Sequence, residues 1–232
     1  MKKSFVQFQK AFTLAEVLIT LVIIGVIAAM TIPTAINNTK EQELKSQFKK
    51  VYSTITQAVN KTEMNDFYGY ARCYMQNDLN SSSGNKQWVI DDCENFYKAF
   101  LKNLQVQKVC QGNSLSEGCI PKYQSYNTSS SCGRFNQNNI ENNNFSYVLS
   151  DGQIIILYGT VSTAYPLFLV DINGHKGPNA YGIDLFSFYM AKEDDTSVYI
   201  HNSFVSGNAC QFKVDKGRYT EEMIQYALIG KK

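Results

Sequence analysis

Lys10-Ala11-Phe12-Thr13-Leu14-Ala15-Glu16 runs straight into an apolar stretch that ends near Pro33. From Val17 to Thr39 the chain carries no charged residue, so Glu16 is the one ionisable group at the head of that stretch. About 20 apolar residues suffice for a helix to cross a bilayer. Insertion scales put a carboxylate there at a cost of about 2.5–3.5 kcal/mol, which marks an acid in such a place as a functional candidate that needs a partner.

An ordinary secretory signal fits the segment less well. Its apolar core is typically about 7–15 residues and is followed by a small-x-small cleavage site. The run from Val17 to Ile32 lies at the upper edge of that range, and Ala28-Ala29-Met30 is a poor cleavage site. Neither a signal peptide nor a plain anchor requires Glu16.

The stretch resembles the N-terminal processing region of type IV prepilins and type II secretion pseudopilins: a short basic leader, a small residue, Phe-Thr-Leu-x-Glu and a hydrophobic helix. The leader here is 1–11, with Lys2, Lys3 and Lys10. The resemblance covers roughly residues 1–60. It implies cleavage between Ala11 and Phe12 by a prepilin peptidase and N-methylation of Phe12. It also implies assembly with other pilin or pseudopilin subunits on an inner-membrane platform, with Glu16, Gly25 and Pro33 as assembly residues. The family usually carries Gly before the cut, where this chain has Ala11; a small residue is kept, and cleavage is expected to survive.

Charge sets the expected orientation. The three leader lysines favour the cytoplasmic side, which would leave residues 64–232 as an extracytoplasmic head on a single-pass inner-membrane protein. The whole chain has net charge +2; without the leader it holds 19 Lys/Arg against 20 Asp/Glu. That balance offers no general footprint for nucleic acid.

Beyond the apolar stretch the helical pattern continues. Leu44, Phe48, Val51, Tyr52, Ile55, Ala58 and Val59 recur at spacings of three and four, with Gln42, Lys45, Lys49, Ser53 and Asn60 opposite. One helix is expected over about 12–63, spanning a membrane over about 14–36 and amphipathic afterwards, with a kink or local opening at Pro33. A short helix is expected within Cys93–Val109, a short extended piece at Trp88–Ile90, and an Asn/Ser-rich loop over Asn127–Asn144. Phe145–Leu149 and Gln153–Tyr158 flank an Asp-Gly turn and predict a β-hairpin. Further strands are expected at Pro166–Asp171, Phe186–Met190, Ser197–His201 and Ala209–Val214, and Thr220–Lys232 fits either a short terminal helix or a packed extension. The fold class is α+β: a pilin-like long helix on an antiparallel sheet, with disulfide-stapled loops.

Cys73, Cys93, Cys110, Cys119, Cys132 and Cys210 all lie beyond the apolar stretch. An even number in an exported, loop-rich domain points to disulfides rather than zinc, since close C-x2–4-C pairs are absent. Six cysteines allow 15 pairings; Cys73–Cys93 is favoured as a loop staple.

The segment Asp171-Ile172-Asn173-Gly174-His175-Lys176-Gly177-Pro178-Asn179-Ala180-Tyr181-Gly182-Ile183-Asp184 gathers hard oxygen donors in a Gly/Pro-rich turn. Calcium takes six to eight such oxygens, which makes Asp171, Asn173 and Asp184 candidate ligands. The spacing is not that of an EF-hand. It is similar to a D-x-N-G…G-P-N…G-x-D loop of some pilin-like proteins, and the major pseudopilin binds calcium in a loop near this place. Tight turns capped by solvated acids are the competing explanation.

No Gly-x-Ser-x-Gly elbow, phosphate-cradling loop or His-Glu-x-x-His occurs, and the two histidines stand apart as His175 and His201. The expectation is therefore a structural subunit of a type II secretion pseudopilus or type IV pilus rather than an enzyme. The alternative is a single-span periplasmic binding module, for calcium or a glycan, that does not polymerise.

Overall fold

The structure is a computed structural model, and it describes residues 12–65, 73–77, 86–90, 92–124, 136–157, 167–192, 199–202, 214 and 217–230. Ala11, Cys132, Cys210 and the strand expected at 209–213 lie outside the described residues; Val214 is described and is not in a strand. The chain divides into two units, one up to Glu43 and the other from Leu44 onwards.

The first unit is the start of α1, Leu14–Asn65. Leu14 to Ile36 carries its large apolar side chains exposed, most of them at half or more of their surface. A helix apolar all round is stable only against lipid or other protein. Two of its hydroxyls bond within the helix: those of Thr20 and Thr31 donate to the carbonyls of Val17 and Ile27, as suits a helix without water around it. The helix is unbroken through Pro33. Proline costs one backbone hydrogen bond, and the turns on either side hold the helical path.

The second unit begins with the amphipathic part of the same helix. Phe48, Val51, Ile55, Ala58 and Val59 are buried, each contact row falling every third or fourth residue. They face a sheet to which the described residues contribute eight strands. These are β1 Cys73–Asn77, β2 Lys86–Ile90, β3 Val106–Gln111, β4 Phe145–Leu149, β5 Ile154–Leu157, β6 Leu167–Asp171, β7 Leu185–Lys192 and β8 Tyr199–Asn202. The run β3-β4-β5-β6-β7 is antiparallel throughout. β8 and β1 both pair with β7, and β1 does so in parallel, a departure from the all-antiparallel expectation.

The middle of the sheet, β5 to β7, is buried on both faces, which explains why β5 reads Ile-Ile-Ile-Leu with no polar alternation. Ile155, Leu157, Phe168, Val170, Phe186 and Phe188 turn towards α1, where the Phe48 ring meets Phe186 edge-on at 5.0 Å. Ile154, Ile156, Leu169 and Leu185 turn the other way, under Ile120, Tyr123, Ile140 and Tyr181. Each fully buried aromatic or aliphatic side chain contributes about 1.5–3 kcal/mol.

The short helix expected within Cys93–Val109 occupies its first part. α2 is Cys93–Lys102, and Asn103 ends it, its side chain donating to the Thr62 hydroxyl and to the Ala99 carbonyl. Val106 to Gln111 becomes β3 instead, because β4 offers it a ladder. The Cys73–Cys93 disulfide ties β1 to α2, and Cys110–Cys119 ties β3 to the loop that follows it. The terminal segment forms α3, Thr220–Ile224, continued by a wider π-helical turn over Gln225–Ile229. A similar π turn, Asn139–Asn143, lies within the stretch expected to be loop.

Candidate functional site

Two places gather the residues singled out above. The first is the start of α1. Thr13 precedes the helix, and its backbone N–H donates to Glu16 Oε2 at 2.9 Å while its hydroxyl donates to the same oxygen at 2.7 Å. The Glu16 N–H faces the Thr13 hydroxyl oxygen at 3.3 Å. This reciprocal pattern is a capping box, Thr-x-x-Glu, which satisfies two of the amide groups a helix leaves unpaired at its start. Glu16 is therefore held by its own chain through charge-assisted bonds, which lowers the cost of placing an acid at the edge of an apolar segment. The signal was present in the sequence as a Thr three residues before a Glu. Phe12, one residue before the box, is 85% exposed. Gly25 lies mid-helix, where an added Cβ would meet nothing within 4 Å, so a larger residue is sterically free to sit there.

The second place is the β6–β7 connection. Asp171 ends β6 and Leu185 opens β7 as its register partner. Between them, Asp171 Oδ1 accepts from the N–H groups of Asn173 (3.1 Å) and Gly174 (2.7 Å). Asp184 Oδ2 and Oδ1 accept from Asn179 N (2.7 Å) and Ala180 N (2.6 Å). The loop is anchored on two sides. Gln124 N donates to the Asn179 carbonyl at 2.7 Å, and Arg218 N donates to the Gly182 carbonyl at 2.6 Å. Gly174 has φ +64°, and a Cβ there would lie 2.1 Å from the Gly152 carbonyl oxygen. The β4–β5 turn thus presses directly on this loop.

Both carboxylates are fully buried. Burial, followed by the neighbouring Asp184 charge, pushes the Asp171 carboxyl up to about 8; the Asn173 and Gly174 amides and the Tyr123 side chain pull the other way. Asp184 is likewise raised by burial, against hydrogen bonds led by the Ala180 and Asn179 amides. Asp171 Oδ2 and the side-chain oxygens of Asn173 and Asn179 are buried without a hydrogen-bond donor in good geometry. Buried acceptors in that condition are costly. Asn179 belongs to the loop's oxygen donors without being one of the three candidate ligands, and Tyr123 carries no signal in the sequence; only the fold brings 123 and 152 against 171–184.

These oxygens suit a hard cation. Two carboxylates and two amide oxygens supply donors of the kind calcium takes. Among the described residues no group of three or more His, Cys, Asp or Glu side chains comes together. The same two acids also cap the turns of the loop: Asp171 does so through Oδ1 and keeps Oδ2 for ligation, whereas both Asp184 oxygens already accept backbone N–H groups. His175 and Lys176 are exposed at the loop tip.

A family model of the prokaryotic N-terminal methylation motif matches residues 7–32. The match covers Ala11 and Phe12, the capping box and most of the apolar helix, and it is consistent with the type IV prepilin and pseudopilin family. Among the described residues one helix is long and apolar enough to cross a membrane, and with the motif it fits a membrane-anchored, single-pass protein. No curated protein and no solved structure matches the chain.

Proposed function

From a chain that carries the N-terminal methylation motif, we propose a structural subunit of a type II secretion pseudopilus or a type IV pilus. A prepilin peptidase cuts between Ala11 and Phe12, Phe12 is N-methylated, and the subunit waits in the inner membrane with its head outside the cytoplasm. It then joins homo- or hetero-filaments through α1, and it is not an enzyme. The observation that carries this reading is the motif at 7–32 set on a helix whose apolar part is exposed on all sides.

Glu16 gives the reading its chemistry. Cleavage creates a positive amine at Phe12, at the positive end of the helix dipole, where a cation is disfavoured. A carboxylate held three residues into the helix offsets it, in its own subunit or a neighbour's. In a low-dielectric filament core an unpaired charge is far worse than a paired one, so docking is favoured at the register that pairs them. The test is intact mass and N-terminal sequencing of membrane-extracted protein, with and without the peptidase. A chain starting at Phe12 with added methyl mass only when the enzyme is present supports the reading. A start near Met30 overturns it.

A second reading concerns the head, and the buried orphan oxygens favour it. Asp171, Asn173 and Asp184, joined by Asn179, hold a calcium ion that ties the end of β6 to its following loop. Its role is to stiffen the head, whether in a filament or in a single-span module that does not polymerise. Calorimetric titration of calcium against the metal-free protein tests it; no binding heat at millimolar calcium overturns it.

A further inference from the structure

The C-terminal turn has a docked side and an apolar side. Thr220, Met223 and Ala227 are buried, and Ile224 and Tyr226 pack against the main core. Tyr219, Leu228 and Ile229 are 43%, 41% and 62% exposed. Two cations rest on the Tyr226 ring: Lys45 Nζ lies 4.3 Å from its centre and Arg218 Cζ 4.0 Å. Lys45 belongs to the first turn of the head unit, which begins at Leu44. The C-terminal turn therefore packs at the head's point of attachment. Eight residues separate Leu44 from Ile36, the end of the apolar stretch, a chain length of about 28 Å at most.

The two segments that meet there carry an excess of positive charge. Among the described residues of 44–50 and 217–230, Lys45, Lys49, Lys50 and Arg218 stand against Glu221 and Glu222, with Lys50 also paired to Asp151 at 2.9 Å. Of the two acids, Glu222 accepts a hydrogen bond from the Tyr219 N–H. Exposed aliphatic residues, interfacial tyrosines and excess Lys/Arg are the combination that seats a segment at a lipid headgroup boundary. Three exposed apolar side chains fall far short of the roughly 20–30 residues that a stable protein interface takes from each side.

We propose that the C-terminal turn, 219–229, is a second, interfacial membrane contact that seats the head on an anionic lipid surface. The proposal rests on the anchored reading above. Before assembly the subunit would then be held twice, by a spanning helix and by a weaker foot that must lift off when the subunit leaves the bilayer.

The test uses the mature full-length chain, 12–232, in nanodiscs whose lipids carry bromine high in the acyl chain. Leu228→Trp places an indole at the foot, and the parent protein corrects for Trp88. In discs containing about one third phosphatidylglycerol, bromine should remove roughly half of the introduced indole's emission, the depth expected of an interfacial helix. Quenching should weaken in pure phosphatidylcholine and at about 0.5 M salt, where screening shortens the reach of surface charge. Incorporated protein whose introduced indole stays unquenched in anionic discs overturns the proposal. A blue-shifted but unquenched indole does the same, because it means a protein neighbour covers the turn. Protein that fails to enter the discs at all overturns the anchored reading and this proposal with it.

Discussion

At the level of single residues, Asp171 links burial to chemistry. Its carboxyl is raised to about 8 from a usual value near 4 by burial, then by Asp184. Between those values the folded chain holds a proton that the unfolded chain has released, so stability falls as pH rises from about 4 to about 8. In chelator, the thermal midpoint of the detergent-solubilised protein should drop across that window. Asp171→Asn should flatten the drop, and an unchanged slope in that variant would remove Asp171 as its source. Gly174 is constrained differently. Its positive φ and the Gly152 carbonyl 2.1 Å from a would-be Cβ leave no room for alanine. Gly174→Ala should destabilise the head by about 3 kcal/mol, combining backbone strain with a clash against backbone that cannot yield. Denaturant midpoints measure this, and a loss below about 1 kcal/mol would show that the two turns separate freely. At Glu16 the expected outcome is loss of assembly with cleavage largely kept. Thr13→Val, which removes only the hydroxyl half of the capping box, should weaken filament yield less than Glu16→Gln, as scored by shearing and immunoblot.

Among the elements, α1 was the most legible and the sheet edges the least. The 44–59 apolar spacing and the uncharged run before it both follow from a helix period that the sequence repeats many times. β5 and β6 were equally plain, because burial on both faces makes them continuous apolar runs. β1 and β3 were not. Val106-Gln107-Lys108-Val109-Cys110-Gln111 has no clean alternation, since as an edge strand it is exposed at most positions, and its identity is conferred by pairing with β4. The candidate cation loop was half legible. Asp171, Asn173 and Asp184 are neighbours in sequence, whereas Tyr123 and Gly152 arrive from strands and loops that only the fold places there. The Cys110–Cys119 disulfide holds the edge strand β3 to its own loop over a separation of 9 residues. Replacing both cysteines by alanine should cost about 3 kcal/mol in the chain-entropy estimate. Removing Cys73 and Cys93, 20 residues apart, should cost slightly more. Equal thermal midpoints for either variant and the parent would mean that packing alone sets these contacts.

For the whole molecule, one helix serves two solvents. Its apolar part up to Ile36 exposes large side chains that water disfavours, while Phe48, Val51, Ile55 and Val59 complete a core that belongs to the head. The division between Glu43 and Leu44 marks where the chain's internal contacts change hands. If stability resides in the second unit, the apolar half contributes address and assembly but nothing to head folding. A chain beginning at Leu44 should then be soluble without detergent, stay monomeric, and unfold in one cooperative transition within about 1 kcal/mol of the full-length protein in detergent. Cutting further, to a start at Ser53, removes Phe48 and Val51 from against Phe186 and Phe188 and should cost about 3–5 kcal/mol or more, the range for deleting one large core aromatic. Analytical ultracentrifugation and denaturant melts of the two truncations would separate these outcomes. A Leu44 chain that aggregates, or melts without a cooperative transition, would mean that the apolar half shields or braces the head even before any filament forms.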